Sequence, residues 1–154
     1  MTSLERVCAA LRDAGVRYAI AGGHAVALHG AVRGTLDIDL VLRWTKDTLT
    51  QAEAALNGIG LVSRLPIRAE DMFEFRDEYV RKRHLIAWNF HNPDDPLEQV
   101  DIVITYDLGT KRTKRIELQS GPIEVLPVRD LIAMKRESGR EQDIEDVRAL
   151  ERLA

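Results

Sequence analysis

Two aspartates, Asp37 and Asp39, stand one residue apart in the apolar run LDIDLVL, shortly after the pair Gly22-Gly23. Side chains alternate faces along a strand. A strand over 36–42 therefore puts both carboxylates on one face and Ile38 and Leu40 on the other. Two like charges on one face repel, and both are costly to desolvate. A divalent cation between them removes that cost, and Mg²⁺ favours one or two carboxylates completed by substrate phosphates. The alternative is a strand end where both aspartates are solvated or paired with arginines, and so short a motif recurs by chance.

A third carboxylate, Asp101, interrupts the β-branched run QVDIVITY, and Asp107 follows nearby. An aspartate between Val100 and Ile102 is expensive unless it is paired, metal-bound or at a strand end. Gly22-Gly23 lies between a strand over 18–21 and a short helix over 24–29 ended by Gly30. Such a turn offers backbone N–H groups to an anion and lets a phosphate approach closely. It also reads as an ordinary tight turn. Neither GxxxxGK[ST] nor GxGxxG is present, so P-loop and dinucleotide-binding readings have no support. Three strand carboxylates and a glycine turn suit phosphoryl chemistry. Two metal ions could bridge the carboxylates and a nucleoside triphosphate, one activating the attacking hydroxyl and the other stabilising the leaving pyrophosphate.

The elements that must hold these residues can be read from spacing. Thr2 to Glu5 fits a capping box, with Leu4, Val7, Cys8 and Leu11 on one helical face and Gly15 beyond the helix end. Thr45 caps a helix over 46–57 with Leu49, Ala52 and Leu56 inward. Residues 61–65 read as a strand, and 68–83 as a charged segment with Met72, Phe75 and Tyr79 at helical spacing. Strands over 85–90 and 99–105 flank the turn HNPDDP. Strands over 116–118 and 123–126 form a hairpin about Ser120-Gly121. From Arg129 the chain is helical, with a break near Ser138-Gly139. Mixed strands and helices indicate an α+β or mixed α/β fold, and no composition shift marks a second domain within 1–154.

The whole chain has 154 residues, formal net charge −3 and 45% hydrophobic residues. That suits a single domain with a sizeable core and argues against a nucleic-acid-coating role. The single cysteine, Cys8, cannot form an internal disulfide and reads as a packing residue. The opening residues do not form a signal peptide, and no apolar run reaches the roughly 20 residues that span a bilayer. A cytoplasmic protein without a membrane partner is expected.

The stretch GGHAVALHGAVRGTLDIDLVL resembles the nucleotidyltransferase superfamily typified by DNA polymerase β. There a strand, Gly-Gly or Gly-Ser and a short helix precede Asp-x-Asp, and a third acidic residue lies on a later strand. The stretch most resembles small AbiEii-like abortive-infection proteins and is also similar to lincosamide and aminoglycoside nucleotidyltransferases. The likeness is strong over 18–42 and moderate at Val100-Asp101-Ile102. It returns at LPVRDLIAMKRESGREQDIEDVRAL, while 44–95 matches little. It implies one nucleotidyltransferase domain over 1–154, with a mixed central sheet flanked by helices and C-terminal helices. It further implies that Gly22 and Gly23 hold the triphosphate and that Asp37 and Asp39 bind two Mg²⁺ or Mn²⁺ ions. Asp101 would bind the first ion and help deprotonate the acceptor hydroxyl. Lys135 would face the phosphates, and Asp143 would orient Lys135 or the acceptor. His24 stands where many members carry serine or threonine, so a backbone amide or the imidazole would take over from the hydroxyl.

Other residues keep two readings. Arg33 either touches phosphate or pairs with the carboxylates. Lys135 sits on an amphipathic helix where it could be solvated, and Arg140, Asp143 and Asp146 could form surface pairs. His24 and His29 are too poorly spaced for a zinc pair, and His29 reads as a packing residue. The clusters RKRH and GTKRTKR would be phosphate contacts if the acceptor were a nucleic acid such as tRNA, and solvated residues otherwise. The expected activity is metal-dependent transfer of a nucleoside monophosphate from a nucleoside triphosphate to a hydroxyl, releasing pyrophosphate. The acceptor could be tRNA, a protein or a small molecule. The rival is a non-catalytic nucleotide- or protein-binding module of the same fold, and a third possibility is a toxin–antitoxin component with a cognate antitoxin, in which the activity is the transfer itself and the biology differs.

Overall fold

A computed structural model describes residues 1–29 and 37–153. Helix α1 (Ser3–Asp13) starts at the capping box: the Thr2 hydroxyl accepts from the Glu5 amide, and the Glu5 carboxylate reaches back. A cap of this kind stabilises a helix by about 1 kcal/mol. Val7, Cys8 and Leu11 are fully buried, as their spacing requires. Burial pushes the Cys8 thiol up to about 11, which leaves it an inert packing group at neutral pH. Gly15, at φ +71°, turns the chain into strand β1 (Tyr18–Ala21).

Helix α2 (Gly22–Leu28) begins at the glycines themselves rather than after them. Strand β2 (Ile38–Leu42) begins one residue after Asp37, so the first aspartate precedes the strand and only Asp39 lies within it. Gly30, Arg33 and Leu36 lie outside the described residues. Helix α3 (Lys46–Gly58) is capped by Thr45 and buries Leu49, Ala52 and Leu56. The strand expected over 61–65 shrinks to β3 (Val62–Ser63). The segment 68–83 forms two short helices, α4 (Ala69–Glu74) and α5 (Arg76–Arg81). Met72 is buried and Phe75 exposed, because the break at Phe75 ends the shared face.

Strands β4 (Ala87–Asn92) and β5 (Asp95–Val103) run further into HNPDDP than that motif suggests, leaving only Pro93 and Asp94 between them. Strands β6 (Lys114–Leu118) and β7 (Gly121–Val125) form the expected hairpin. Helices α6 (Val128–Ser138) and α7 (Glu141–Glu151) are separated at Gly139, which takes the left-handed conformation that glycine favours.

Among the described residues the strands form one mixed sheet in the order β3-β4-β5-β2-β1-β7-β6. Its central strand is β2, antiparallel to β1 and parallel to β5. Trp88, Phe90, Val100, Ile102, Ile38 and Leu40 are buried on these central strands. At roughly 1.5–3 kcal/mol per fully buried large apolar side chain, this layer fixes the register of the polar residues interleaved with it. Helices α1 and α3 pack on each other, whereas α2 rests on β1 and β2 and meets α6, which is paired with α7. No described helix is long and apolar enough to cross a membrane.

Candidate active site

The register places Ala21 opposite Asp39 on one side and Asp39 opposite Asp101 on the other. The end of β1, the start of β2 and the C-terminal part of β5 thus bring a glycine and two carboxylates side by side. Asp101 alternates with Val100 and Ile102, both fully buried, so its carboxylate projects from the other face. Asp37 is exposed at the mouth. All three aspartates line one cavity of about 540 Å³, with Gly22, Gly23, Lys135, Arg140 and Asp143. Asp107 is a structural residue instead. Its Oδ1 accepts from the amides of Trp44 and Gly109, each at 2.9 Å, and fastens two loops together.

Gly22 serves Asp39 directly. Its φ is +61°, and a Cβ on it would lie 1.9 Å from Asp39 Oδ2. No side chain fits there while that carboxylate stays in place. Next to it, Asn89 is directly across from Asp101, and its Nδ2 donates to Asp101 Oδ1 at 2.7 Å. Asn89 Oδ1 in turn accepts from Arg64 Nε at 2.8 Å. This relay orients the third carboxylate. It lies in 44–95, where no motif signalled it; the alternation of Trp88 and Phe90 around a polar residue on a strand was the available clue.

The charges explain the chemistry of the site. Burial pushes the Asp39 carboxyl up to about 6, and the negative charges of Asp101 and Asp37 push the same way against Lys135 and Arg140. A crowded hard-oxygen donor set of this kind fits a divalent cation, which would relieve the repulsion. Among the described residues, no three acidic, His or Cys side chains are grouped so that they could hold a metal ion by themselves. The fit is therefore to an open platform whose remaining ligands would be substrate oxygens and water.

Helices α6 and α7 form the facing wall. Lys135 is not solvated: its side chain is 10% exposed, and its Nζ lies 3.2 Å from Asp143 Oδ1 and 3.0 Å from Asp146 Oδ2. Asp143 and Asp146 are buried rather than surface residues, because the helix hairpin closes over them. Asp143 also accepts from Arg140 Nε at 2.8 Å and from the Arg140 amide at 3.2 Å, which ties it to the start of α7. Burial pushes the Asp143 carboxyl up, but hydrogen bonds from Arg140, Ser138 and Lys135 outweigh it and hold it at about 2.

His24 follows Gly23 in the first turn of α2, half-buried and off the cavity lining. His29 Nε2 lies 2.7 Å from the Leu126 carbonyl oxygen, a packing contact. The basic clusters over 81–84 and 109–115 do not line the cavity.

A family model described as aminoglycoside-2''-adenylyltransferase matches residues 3–148. No curated protein matches the sequence. Among solved structures, the antibiotic-resistance factor ANT(2'')-Ia in solution aligns with TM-score 0.61 at 15% identity, over 96% of this chain and 80% of that one. The lincosamide antibiotic adenylyltransferase LnuA, solved with lincomycin bound, aligns with TM-score 0.63 at 12% identity, over 99% and 96%. An antigenic nucleotidyltransferase-like protein from Paracoccidioides brasiliensis aligns with TM-score 0.59 at 19% identity, over 99% and 76%. At such identities the structural likeness establishes the nucleotidyltransferase fold. These matches agree with the aminoglycoside and lincosamide resemblance and do not extend to the AbiEii-like branch.

Proposed function

The chain belongs to the aminoglycoside-2''-adenylyltransferase family and is a nucleotidyltransferase acting on a hydroxyl acceptor, and from that premise we propose a divalent-metal-dependent adenylyltransferase whose acceptor is a hydroxylated, cationic small molecule. The observation that carries this reading is the in-register pair Asp39 and Asp101, set beside Gly22 in a cavity that Asp37 also lines.

Asp37, Asp39 and Asp101 would hold the metal, Mg²⁺ or Mn²⁺, as two ions. When bound, such ions neutralise phosphate charge and make the acceptor hydroxyl more acidic. Gly22, which lies against Asp39, and Gly23, which lines the same cavity, would receive the triphosphate through their backbone. Asp101, fixed by Asn89, would accept the proton of the attacking hydroxyl. The acceptor oxygen then bonds to the α-phosphorus, the bond from that phosphorus to the bridging oxygen breaks, and pyrophosphate leaves. Positioning and charge neutralisation drive the reaction, and no covalent enzyme intermediate is required.

The acceptor class follows from charge and from the neighbours. Glu137 adds negative charge to the cavity beyond the three metal-holding aspartates, which favours a cationic acceptor such as an aminoglycoside. The matched ANT(2'')-Ia structure with adenylyl-2''-tobramycin points to the same class. The basic clusters lie away from the cavity, so tRNA has no such support, and nothing in the site favours an antitoxin partner or a binding module without turnover.

The test is pyrophosphate release from ATP with Mg²⁺ across a panel of aminoglycosides and lincosamides, with the adenylylated product read by mass spectrometry. Turnover should require both metal and acceptor and should fall at least about 10³-fold in Asp101→Asn, a loss in the range of general-base and electrostatic effects combined. A folded protein that binds ATP yet adenylylates none of these acceptors overturns the acceptor assignment. Metal-independent turnover overturns the metal assignment.

A further inference from the structure

Two cations of the described chain line the cavity, Lys135 and Arg140, and they are held in opposite ways. The Lys135 ammonium is buried between two carboxylates, Asp143 and Asp146, which together more than absorb its single charge. It is spoken for before any substrate arrives. Arg140 is 70% exposed. Its Nε donates to Asp143 Oδ2 at 2.8 Å and its Nη2 to Asp143 Oδ1 at 3.4 Å. That fork fixes the guanidinium plane through one edge and leaves Nη1 and its two protons outside the pair. The fields of Arg140 and Asp39 act on each other, which places the guanidinium within electrostatic reach of the carboxylate platform.

The charge balance of the wall separates the two roles. The buried Lys135, Asp143 and Asp146 carry one net negative charge, which the exposed Arg140 brings to zero. Lys135 cannot turn to a phosphate without giving up its buried contacts to Asp143 and Asp146. Arg140 can add a phosphate oxygen at its outer edge without giving up Asp143. We propose that Arg140 is the cation of this wall that binds the triphosphate, with Asp143 as its positioning residue. Lys135 and Asp146 form a buried ion pair between α6 and α7 that stabilises the hairpin and takes no part in binding the triphosphate. The role that family resemblance gives to Lys135 passes to Arg140. The assignment rests on the adenylyltransferase reading and names a further binding residue of the same site.

The experiment is calorimetric titration of Mg·ATP into four proteins: the unaltered chain, Arg140→Gln, Arg140→Lys and the double variant Lys135→Met/Asp146→Asn. The double variant removes one charge of each sign, and Asp143 keeps Arg140 as its partner. Thermal unfolding without nucleotide is recorded for all four. Arg140→Gln should weaken ATP binding by about tenfold or more, the loss expected for a charge-assisted hydrogen bond. Arg140→Lys should recover part of it, since a point charge remains but the fork is lost. The double variant should show a shifted melting temperature while keeping ATP affinity within about threefold. Equal affinity in Arg140→Gln and the unaltered chain overturns the assignment. So does a loss in the folded double variant as large as that in Arg140→Gln. If the unaltered chain itself binds no Mg·ATP, the adenylyltransferase reading fails first and the role of Arg140 fails with it.

Discussion

Asp39 sets the terms for the residues around it. Its neighbour on one side must be a glycine, because a Cβ at Gly22 would lie 1.9 Å from Oδ2, far inside van der Waals contact. On the other side stands a second carboxylate, Asp101, whose repulsion a cation or a proton would relieve. Gly22 is thus reserved space for a carboxylate as much as an approach path for phosphate. Gly22→Ala should remain folded but push the Asp39 side chain aside. A displacement of about 1 Å at a reacting centre can cost on the order of 10²-fold in rate, and that is the expected loss of transfer. Gly15→Ala is the matched control: its φ of +71° imposes similar backbone strain, yet nothing lies within 4 Å of the added methyl. It should lose stability by about 1 kcal/mol and keep its rate. Equal rates for the two variants would show that strain, not the collision, matters.

At the level of elements, sequence periodicity carried α1, β1, α3, the β6–β7 hairpin and the break between α6 and α7, since each has a cap, a buried face or a glycine at its boundary. It overextended β3, because two pairing residues on an edge strand leave little apolar signal. It set β2 one residue or more too early, because alternation alone does not say where pairing begins. The three carboxylates were legible as charges inside apolar runs. The burial of Asp143 and Asp146 was not, because their i,i+3 spacing looks the same on a free helix as in a closed hairpin. Only the partner helix distinguishes the two, and the contact is Lys135. A substitution there should read as a tertiary loss. Lys135→Met leaves buried carboxylate charge uncompensated and should cost about 3–5 kcal/mol, the range for breaking a buried pair. Denaturant unfolding at neutral pH measures it, and a cost under about 1 kcal/mol, typical of exposed pairs, would return Lys135 to the surface.

Across the whole molecule the apolar layers beneath the sheet hold a cavity wall that is electrostatically unfavourable without its ligands, and that tension has a pH signature. Asp39 has a carboxyl raised to about 6 from an ordinary 3.8, so the folded chain holds that proton more tightly than the unfolded chain. Stability from this group is present below about pH 4 and is lost as pH rises through about 6. Asp143, depressed to about 2, works in the opposite sense: its contribution is present above about pH 4 and is lost as pH falls toward 2. Without ligand, these two groups therefore favour a stability maximum near pH 4, with a decline toward neutrality that belongs to the active site. Asp39→Asn removes the ionisation and should remove that decline. At pH 7.5 it should melt several degrees higher than the unaltered chain, since a shift of about two pKa units corresponds to at most about 3 kcal/mol. At pH 4 the two proteins should melt close together. Mg·ATP should reverse the order at pH 7.5 by stabilising only the chain that keeps its carboxylate. Melting curves at the two pH values, with and without Mg·ATP, test this directly. If Asp39→Asn melts lower than the unaltered chain at pH 7.5 without ligand, the carboxylate is stabilised by its surroundings, and the electrostatic need for a cation in this site loses its physical basis.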